Sequence, residues 1–301
     1  MKIIGGKNTE DETNLAIEVI EPVDLTTPMI FASPHSGRRY SADFLRLSRL
    51  DRHDLRQSED GYVDLIFDDA PRFGAPFLRA LFPRAYVDVN RSADELDPRM
   101  FADTLPSSVD SRTSRVLAGL GVIPRIVADG HDIYDRKLNY KETKRRLHTC
   151  YEPYHDALKG LIDKAYARFG CAVVIDCHSM PSAGGAPLKP GDRQIDFVLG
   201  DRFGTSCAPS LTSLIEHILV KSGHTVSRNA PYAGGYVASA YGAPSRGVHI
   251  IQIEINRALY LDEQRLARTD NFERLRDKMQ HLMSELSRID PAALIPAVAA
   301  E

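Results

Sequence analysis

The sequence predicts an α/β fold in which a mostly parallel sheet is covered by helices on both faces. Two observations predict it. Short apolar segments alternate along the chain with longer segments of helical periodicity. The apolar segments are nearly continuous in aliphatic residues, which is typical of strands that are buried on both sides. The chain has 301 residues, enough for one large domain. We therefore expect a single domain over residues 1–301, with 290–301 as a loosely packed tail.

Seven short apolar segments are the predicted strands. In chain order they are Ala16–Ile20, Met29–Ala32, Phe77–Leu81, Ala85–Val89, Ala172–Ile175, Phe197–Leu199 and Val248–Ile255. Three other segments carry apolar residues at spacings of three and four, which predicts amphipathic helices. They cover about residues 141–168, 211–220 and 262–289, and Pro153 is expected to kink or split the first. In open sheets of this type, ligands bind beyond the carboxyl ends of the strands.

Composition argues against several classes of protein. The formal net charge is −3, from 38 basic and 41 acidic residues, whereas non-specific nucleic-acid binding needs a basic surface. No segment approaches the roughly 20 apolar residues of a membrane span, and the first residues lack the apolar core of a signal peptide. The four cysteines form no C-x-x-C pair, so we expect free thiols in a reducing cytoplasm. A small acidic substrate remains compatible with this charge.

Two predicted strands run directly into histidines. "PMIFASPHSG" leads to His35, and "VVIDCHSMPS" leads to His178. One histidine at such a position is more often a hydrogen-bonded structural residue, but two at equivalent strand ends suggest a shared site. Catalytic zinc needs three protein ligands and an open position, so a carboxylate must complete the set. "SEDGYVD" offers Glu59 and Asp60, although acids there also suit the first turn of a helix.

The segment "HIIQIEINRALY" places Glu254 within an apolar strand. An unpaired buried charge is costly, so this carboxylate needs a partner or a function. One interpretation is a salt bridge to Arg257 or another arginine. The other is a general base beside a metal site. The spacing alone does not choose between them.

Several polar residues follow or interrupt apolar segments in a way that suits anion binding. "YVDVNR" ends on Asn90 and Arg91, and "GVIPRIV" places Arg125 in apolar surroundings. Arginine binds carboxylates through paired hydrogen bonds, so these residues are candidates for substrate binding. The alternative for Arg91 is a surface salt bridge to Asp94 or Glu95. The sequence also lacks G-x-S-x-G and a phosphate-binding glycine loop.

In combination, seven segments resemble the N-formylglutamate amidohydrolases, also called N-formylglutamate deformylases. They are "SPHSG", "SEDGYVDLIF", "YVDVNR", "YEPYHDAL", "IDCHSMPS", "DFVLGDRFGTSC" and "GGYVASAYGAPSRGVHIIQIEINRALY", and they run in order over about residues 28–265. The resemblance implies a single three-layer domain with a mixed, mostly parallel sheet, as in the zinc carboxypeptidases and aspartoacylases. It also implies a zinc enzyme that hydrolyses N-formyl-L-glutamate to formate and glutamate in bacterial histidine degradation.

The resemblance assigns roles to individual residues. His35 and His178 match the metal histidines, and the acid of "SEDGYVD" matches the third ligand. We take this acid to be Asp60, with Glu59 as the alternative. Glu254 matches the catalytic glutamate.

Asn90 and Arg91 resemble the pair that holds a substrate carboxylate in the carboxypeptidases, and Arg125 is a further candidate for that role. Two departures from the family pattern stand out. Arg38 replaces the glutamate of the peptidases' H-x-x-E motif. Gly61 and Tyr62 stand where many deformylases carry bulkier or more polar residues, so the identity of the acyl amino acid substrate stays open. Alternative functions are a deacylase or carboxypeptidase-like hydrolase of another N-acyl amino acid or peptide, or a non-catalytic sensor of acidic ligands.

Overall fold

The computed structural model describes residues 16–127, 130–186 and 193–295. A seven-stranded sheet forms its centre. The strands are β1 (Ile17–Ile20), β2 (Met29–Ser33), β3 (Phe77–Ala80), β4 (Ala172–Met180), β5 (Phe197–Gly200), β6 (Val226–Arg228) and β7 (Val248–Asn256). Their order across the sheet is β1-β3-β2-β4-β7-β5-β6. The β1–β3 and β5–β7 pairs are antiparallel and the other pairs are parallel, which confirms the mixed, mostly parallel sheet.

Nine α-helices surround this sheet in the described part of the chain. They are α1 (Ala42–Leu47), α2 (Arg52–Arg56), α3 (Val63–Ile66), α4 (Ser114–Leu117), α5 (Tyr140–Arg146), α6 (Glu152–Phe169), α7 (Pro209–Lys221), α8 (Tyr236–Tyr241) and α9 (Phe272–Ser287). None of the helices among the described residues combines the length and the apolarity that crossing a lipid bilayer requires.

Apolar residues of the central strands point alternately to two cores, one on each face of the sheet. Phe31, Ile175 and Ile253 face a core that also holds residues of α7 and α9. Ala32 and Val174 face the opposite core, which holds the buried side of α6. The strands are therefore buried on both faces, which confirms the three-layer arrangement.

The predicted strand Ala85–Val89 is wrong. Val87 and Val89 are buried, as a strand would bury them, but the backbone forms a turn. The Val87 amide donates to the carbonyl of Pro83, and the Asp88 amide donates to the carbonyl of Val122 in a neighbouring loop. Alternating apolar residues therefore mark burial at this place and not sheet pairing.

Three other differences concern boundaries. The strand β6, which follows polar residues, had no apolar segment to predict it. The helix predicted from residue 262 begins only at Phe272, because a short hairpin, β8 (Leu261–Asp262) and β9 (Ala267–Arg268), comes first. The first predicted helix is continuous through Pro153, because one π-helical turn, Leu147–Tyr151, joins α5 to α6.

Part of the predicted loose tail packs against the domain. Leu294 is buried, and its carbonyl oxygen lies 2.8 Å from Nε2 of His249. Residues 296–301, the rest of that segment, lie outside the described residues.

Candidate active site

The carboxyl ends of β2 and β4 bring His35, Asp60 and His178 together. One ligand atom from each residue lies within 4.8 Å of those of the other two. The Nδ1 atoms of His35 and His178 lie 3.3 and 3.0 Å from the same Asp60 atom, Oδ2. The three side chains are buried. Two imidazoles and one carboxylate that converge in this way are a donor set that zinc prefers.

The outer nitrogen of each histidine contacts a second carboxylate. His35 Nε2 lies 2.8 Å from Asp88 Oδ1, and His178 Nε2 lies 2.9 Å from Asp176 Oδ2. If each outer nitrogen donates a proton to its second carboxylate, both Nδ1 atoms carry lone pairs. These lone pairs face Asp60 Oδ2, which is also an acceptor and therefore repels them. A cation among these three acceptors removes that repulsion, and carboxylate–histidine pairs of this kind orient metal ligands in many proteins.

The inner nitrogen of His35 supports this interpretation. Its Nδ1 is buried and has no hydrogen-bond partner among the residues that the structure describes, which is rare for a buried polar atom. Burial lowers the pKa of His178, but Asp176 and Asp60 outweigh this effect and raise that pKa well above its ordinary value. The carboxylates around His178 thus favour positive charge at this position, which a bound metal ion would supply. The residues fit a metal site.

The structure places Asp60, and not Glu59, in this cluster. The Glu59 carboxylate accepts a hydrogen bond from Tyr40 Oη at 2.7 Å and one from Arg56 Nε at 3.1 Å. Its side chain is therefore engaged elsewhere. Arg38, three residues after His35, forms an ion pair at 2.8 Å with Asp64 and is likewise occupied outside the cluster.

Arg257 supports Asp60 from the β7 side. Its Nη2 lies 3.4 Å from Asp60 Oδ1 and donates to the carbonyl of Glu59 at 2.6 Å. Its Nε donates to Ser179 Oγ, and that hydroxyl donates to Asp60 Oδ1 at 3.2 Å. These bonds leave Asp60 Oδ2 to the two histidines and fix the carboxylate plane.

Glu254 stands beside His178 in the register of β4 and β7 and lines the same cavity. Within the described part of the chain it has no ion pair; Arg257 is engaged with Asp60 instead. Its Oε1 accepts a hydrogen bond from Gln252 Nε2 at 2.6 Å, and Gln252 Oε1 accepts one from the Gly235 amide. Burial is the main cause that raises the pKa of Glu254.

Asn90 and Arg91 lie at the other side of the cluster. Asn90 Nδ2 is 3.1 Å from His178 Nε2 and donates to Asp176 Oδ2 at 3.3 Å. Arg91 donates from Nε to the Leu120 carbonyl and from Nη1 to its neighbour's carbonyl, and its Nη2 lies 3.9 Å from Asp88. Asn90 therefore contacts His178 directly, and two main-chain carbonyls hold Arg91 beside it.

A cavity of about 260 Å³ opens onto these groups. The sequence-predicted residues that line it are His35, Asp60, Asn90, Arg91, His178 and Glu254. Arg125 is not among the lining residues. Its guanidinium forms ion pairs with Asp132 and, at 3.4 Å, with Asp97. The structure therefore brings six of the seven predicted side chains together and leaves Arg125 beneath a neighbouring loop.

Sequence reasoning missed Asp88 and Arg84, which both line the cavity. Asp88 stands two residues before Asn90, inside a segment that was already singled out. Arg84 Nε contacts Asp88 Oδ2 at 3.0 Å across one turn. Arg84 and Asp88 are four residues apart, a spacing that allows an ion pair across one turn of the backbone. The prediction of a strand over 85–89 excluded such a turn, so the pair was not recognised.

An α/β fold whose mixed sheet ends at a buried His–Asp–His cluster, with a buried glutamate beside it, defines a protein with a candidate metal centre. Comparison with known proteins identifies the family. The model of the N-formylglutamate amidohydrolase family matches residues 27–261. The chain therefore belongs to the N-formylglutamate amidohydrolase family, which confirms the resemblance seen in its sequence.

Individual relatives agree with this assignment. An N-formylglutamate deformylase of Pseudomonas aeruginosa is 27% identical over 264 residues, which span 86% of this chain and 92% of the relative. One from Pseudomonas putida is 27% identical over 239 residues, 78% of this chain and 82% of the relative. The crystal structure of N-formylglutamate amidohydrolase from Ralstonia eutropha JMP134 superimposes with a TM-score of 0.87 and 35% identity, covering 92% of this chain and 99% of that one. A gene product of Agrobacterium tumefaciens, 18% identical with a TM-score of 0.61, covers 92% of this chain and 95% of its own and shares the fold.

Proposed function

We propose that this protein is a zinc-dependent deformylase that hydrolyses N-formyl-L-glutamate to formate and L-glutamate. Family membership supports the class of reaction, hydrolysis of a linear amide. One structural observation supports catalysis at this site in particular. Glu254, a buried carboxylate that forms no ion pair with a described residue, faces the same cavity as the His35–Asp60–His178 cluster. Burying a carboxylate in this way costs free energy and does little to stabilise the fold. A functional role explains why the arrangement is present.

Zinc is the proposed metal, held by Nδ1 of His35, a carboxylate oxygen of Asp60 and Nδ1 of His178. The orphaned Nδ1 of His35 supports this ligand set. When bound, zinc would polarise the formyl carbonyl and lower the pKa of a water molecule towards about 7. Asp88 and Asp176 keep the two imidazoles in the tautomer that directs Nδ1 inward.

Glu254 acts as the proton carrier in this proposal. Its carboxylate takes a proton from the attacking water and delivers it to the amide nitrogen, which must leave as an amine. Burial raises its pKa, and this greater proton affinity suits a group that accepts a proton and then donates it. The hydrogen bond from Gln252 keeps the carboxylate in place at the cavity wall.

Arg91 supplies positive charge for the substrate's α-carboxylate, and Arg84 lies beside it. Asn90 lies beside Nε2 of His178 and donates to Asp176, the carboxylate that contacts the same nitrogen. This placement would hold the formyl group over the metal ligands, which is the benefit of a fixed carboxylate contact. Arg125 keeps only an indirect role in this proposal, since its two carboxylate partners hold it outside the cavity.

The proposed reaction belongs in bacterial histidine degradation, where N-formyl-L-glutamate is the last intermediate of one route, and this route is cytoplasmic. The test is formate release from N-formyl-L-glutamate by the purified protein. We expect activity that a chelator abolishes and added zinc restores.

Parallel assays with N-acetyl-L-glutamate and with dipeptides separate this function from the two alternatives. Preferential hydrolysis of an acetyl or peptide substrate would identify a different amidohydrolase. Tight binding of acidic ligands with no hydrolysis of any substrate would indicate a sensor and refute the proposal.

A further inference from the structure

We propose that Arg115 binds the side-chain carboxylate of the substrate and thereby sets a preference for acidic N-formyl amino acids. This inference rests on the proposed function, because it names the part of the substrate that the same cavity selects. No motif or periodicity in the sequence points to this residue. Its lack of side-chain partners among the described residues distinguishes it from the other arginines around the cavity.

Four arginines line the cavity, and three of them are engaged with protein groups. Arg257 is bound to Asp60, to Ser179 and to two main-chain carbonyls. Arg84 pairs with Asp88 through Nε, and Arg91 bonds to two carbonyls through Nε and Nη1. Arg257 and Arg84 therefore stabilise the site itself, whereas Arg91 keeps Nη2, which lies 3.9 Å from Asp88, for the α-carboxylate of the substrate.

Arg115 differs from the other three. Its side chain has neither an ion pair nor a hydrogen bond with any group in the described part of the chain. It is exposed, and it borders both the cavity and a neighbouring surface depression. Arg202 borders that depression but not the cavity. Arg115 is thus the outer arginine of the cavity, and its donors are available to a ligand.

The short helix that carries Arg115 is fixed in place. Thr113 Oγ1 accepts a hydrogen bond from the Val116 amide, and the Val116 side chain is buried. The Leu120 amide donates to the Arg115 carbonyl at 2.8 Å, while the Leu120 carbonyl accepts from Arg91 Nε. One loop therefore joins the inner arginine to the outer one and sets their relative position.

Arg125 also contacts the loop that joins Arg91 to Arg115. Its amide donates to the Gly119 carbonyl at 2.8 Å, and Gly119 has a φ of +82°. A Cβ at Gly119 would lie 3.1 Å from Arg125 Nη2, so the guanidinium packs directly under the loop. With Asp97 and Asp132 as its partners, Arg125 supports the segment that presents Arg115.

The geometry of the substrate decides which carboxylate each arginine takes. The α-carboxylate is attached to the carbon that bears the scissile nitrogen, so it must lie close to the metal ligands. Arg91 is buried there, with Arg84 beside it. The side-chain carboxylate is two methylene groups further away and reaches outward, where Arg115 is exposed.

The charge balance of the cavity agrees with this assignment. Burial, followed by the like charges of Arg84 and Arg115, lowers the pKa of Arg91 to about 10, although Asp88 opposes this effect. Arg91 stays charged at neutral pH, so cationic groups remain crowded along this wall. A ligand with two carboxylates relieves that repulsion better than a ligand with one.

The test compares N-formyl-L-glutamate with N-formyl-L-glutamine, which keeps the α-carboxylate and replaces the side-chain carboxylate by an amide. The variant is Arg115→Gln, and the matched control is Arg112→Gln, an exposed arginine of the same segment that does not line the cavity. We expect Arg115→Gln to lower kcat/KM for N-formyl-L-glutamate by roughly 10- to 100-fold, the usual scale for a charged hydrogen bond. For N-formyl-L-glutamine we expect a change of less than about threefold.

Two results would overturn the inference. Equal losses on both substrates would assign Arg115 to the α-carboxylate or to the fold. Unchanged kcat/KM on both substrates would show a solvated surface arginine. The wild-type protein keeps this test separate from the proposed function: no hydrolysis of N-formyl-L-glutamate by wild type refutes that function, whereas activity with an unaltered preference in Arg115→Gln refutes only the inference.

Discussion

His155 gives this protein a pH dependence of stability that can be calculated from its surroundings. The residue lies on α6 and is buried among tyrosines, with stacked or edge contacts to Tyr151, Tyr154, Tyr236 and Tyr241. Its Nε2 donates to the Val89 carbonyl at 3.0 Å, so Nδ1 accepts from Tyr241 Oη at 2.8 Å. Both nitrogens are satisfied only when the ring is neutral.

Burial is the main cause that lowers the pKa of His155 from 6.5 to about 4. The folded state therefore excludes a proton that the unfolded chain binds between these two values, and stability falls as the pH falls. The stabilisation that the neutral His155 ring contributes to the folded state is fully present above pH 6.5. This stabilisation decreases by roughly 1 kcal/mol between pH 7.5 and 5.5, and by roughly 3 kcal/mol once the pH is below 4.

The assay is urea unfolding of wild type and His155→Gln at pH 7.5, 6.5 and 5.5, with a chelator present so that metal release does not contribute. His148→Gln is the control, because His148 is exposed and lies on the same helical segment. We expect the variant to be less stable at pH 7.5 but to lose roughly 1 kcal/mol less stability than wild type on going to pH 5.5. Parallel pH profiles for wild type and His155→Gln would refute the reasoning.

Two further predictions concern the site. The Glu254→Gln variant is expected to bind zinc as wild type does. Its kcat, measured as formate release, is expected to be lower by roughly 100-fold or more, because the amide cannot accept the proton. Near-normal turnover would contradict the role of Glu254. Asp88→Asn is expected to weaken zinc affinity by about 10- to 100-fold, measured by competition with a chromophoric chelator, because the charge behind His35 is lost; unchanged affinity would show that Asp88 does not tune the ligand.

The sequence could predict the site residues that directly follow central strands. His35 and His178 come after apolar segments that are buried on both sides, and parallel strands bring their carboxyl ends to one edge. Glu254 could be predicted as a site residue because it is an acidic residue within an apolar strand. In each case the pattern that forms the strand also fixes the position of the polar residue at its end.

Residues whose positions depend on loops were harder to predict. Glu59 and Asp60 are adjacent, and only the hydrogen bonds of Glu59 to Tyr40 and Arg56 show which of them reaches the histidines. Arg125 seemed a substrate ligand because its surroundings are apolar. Its anionic partners turned out to be Asp97 and Asp132, from segments that no periodicity connects to it.

The central claim is that His35, Asp60 and His178 together bind one zinc ion, and the most direct measurement is the zinc content of purified wild type and His178→Ala. Elemental analysis is combined with circular dichroism, which shows that the variant is folded, and His148→Ala serves as the control. We expect one zinc per chain in wild type and in the control, and none in His178→Ala after dialysis. Stoichiometric zinc in folded His178→Ala would contradict the account.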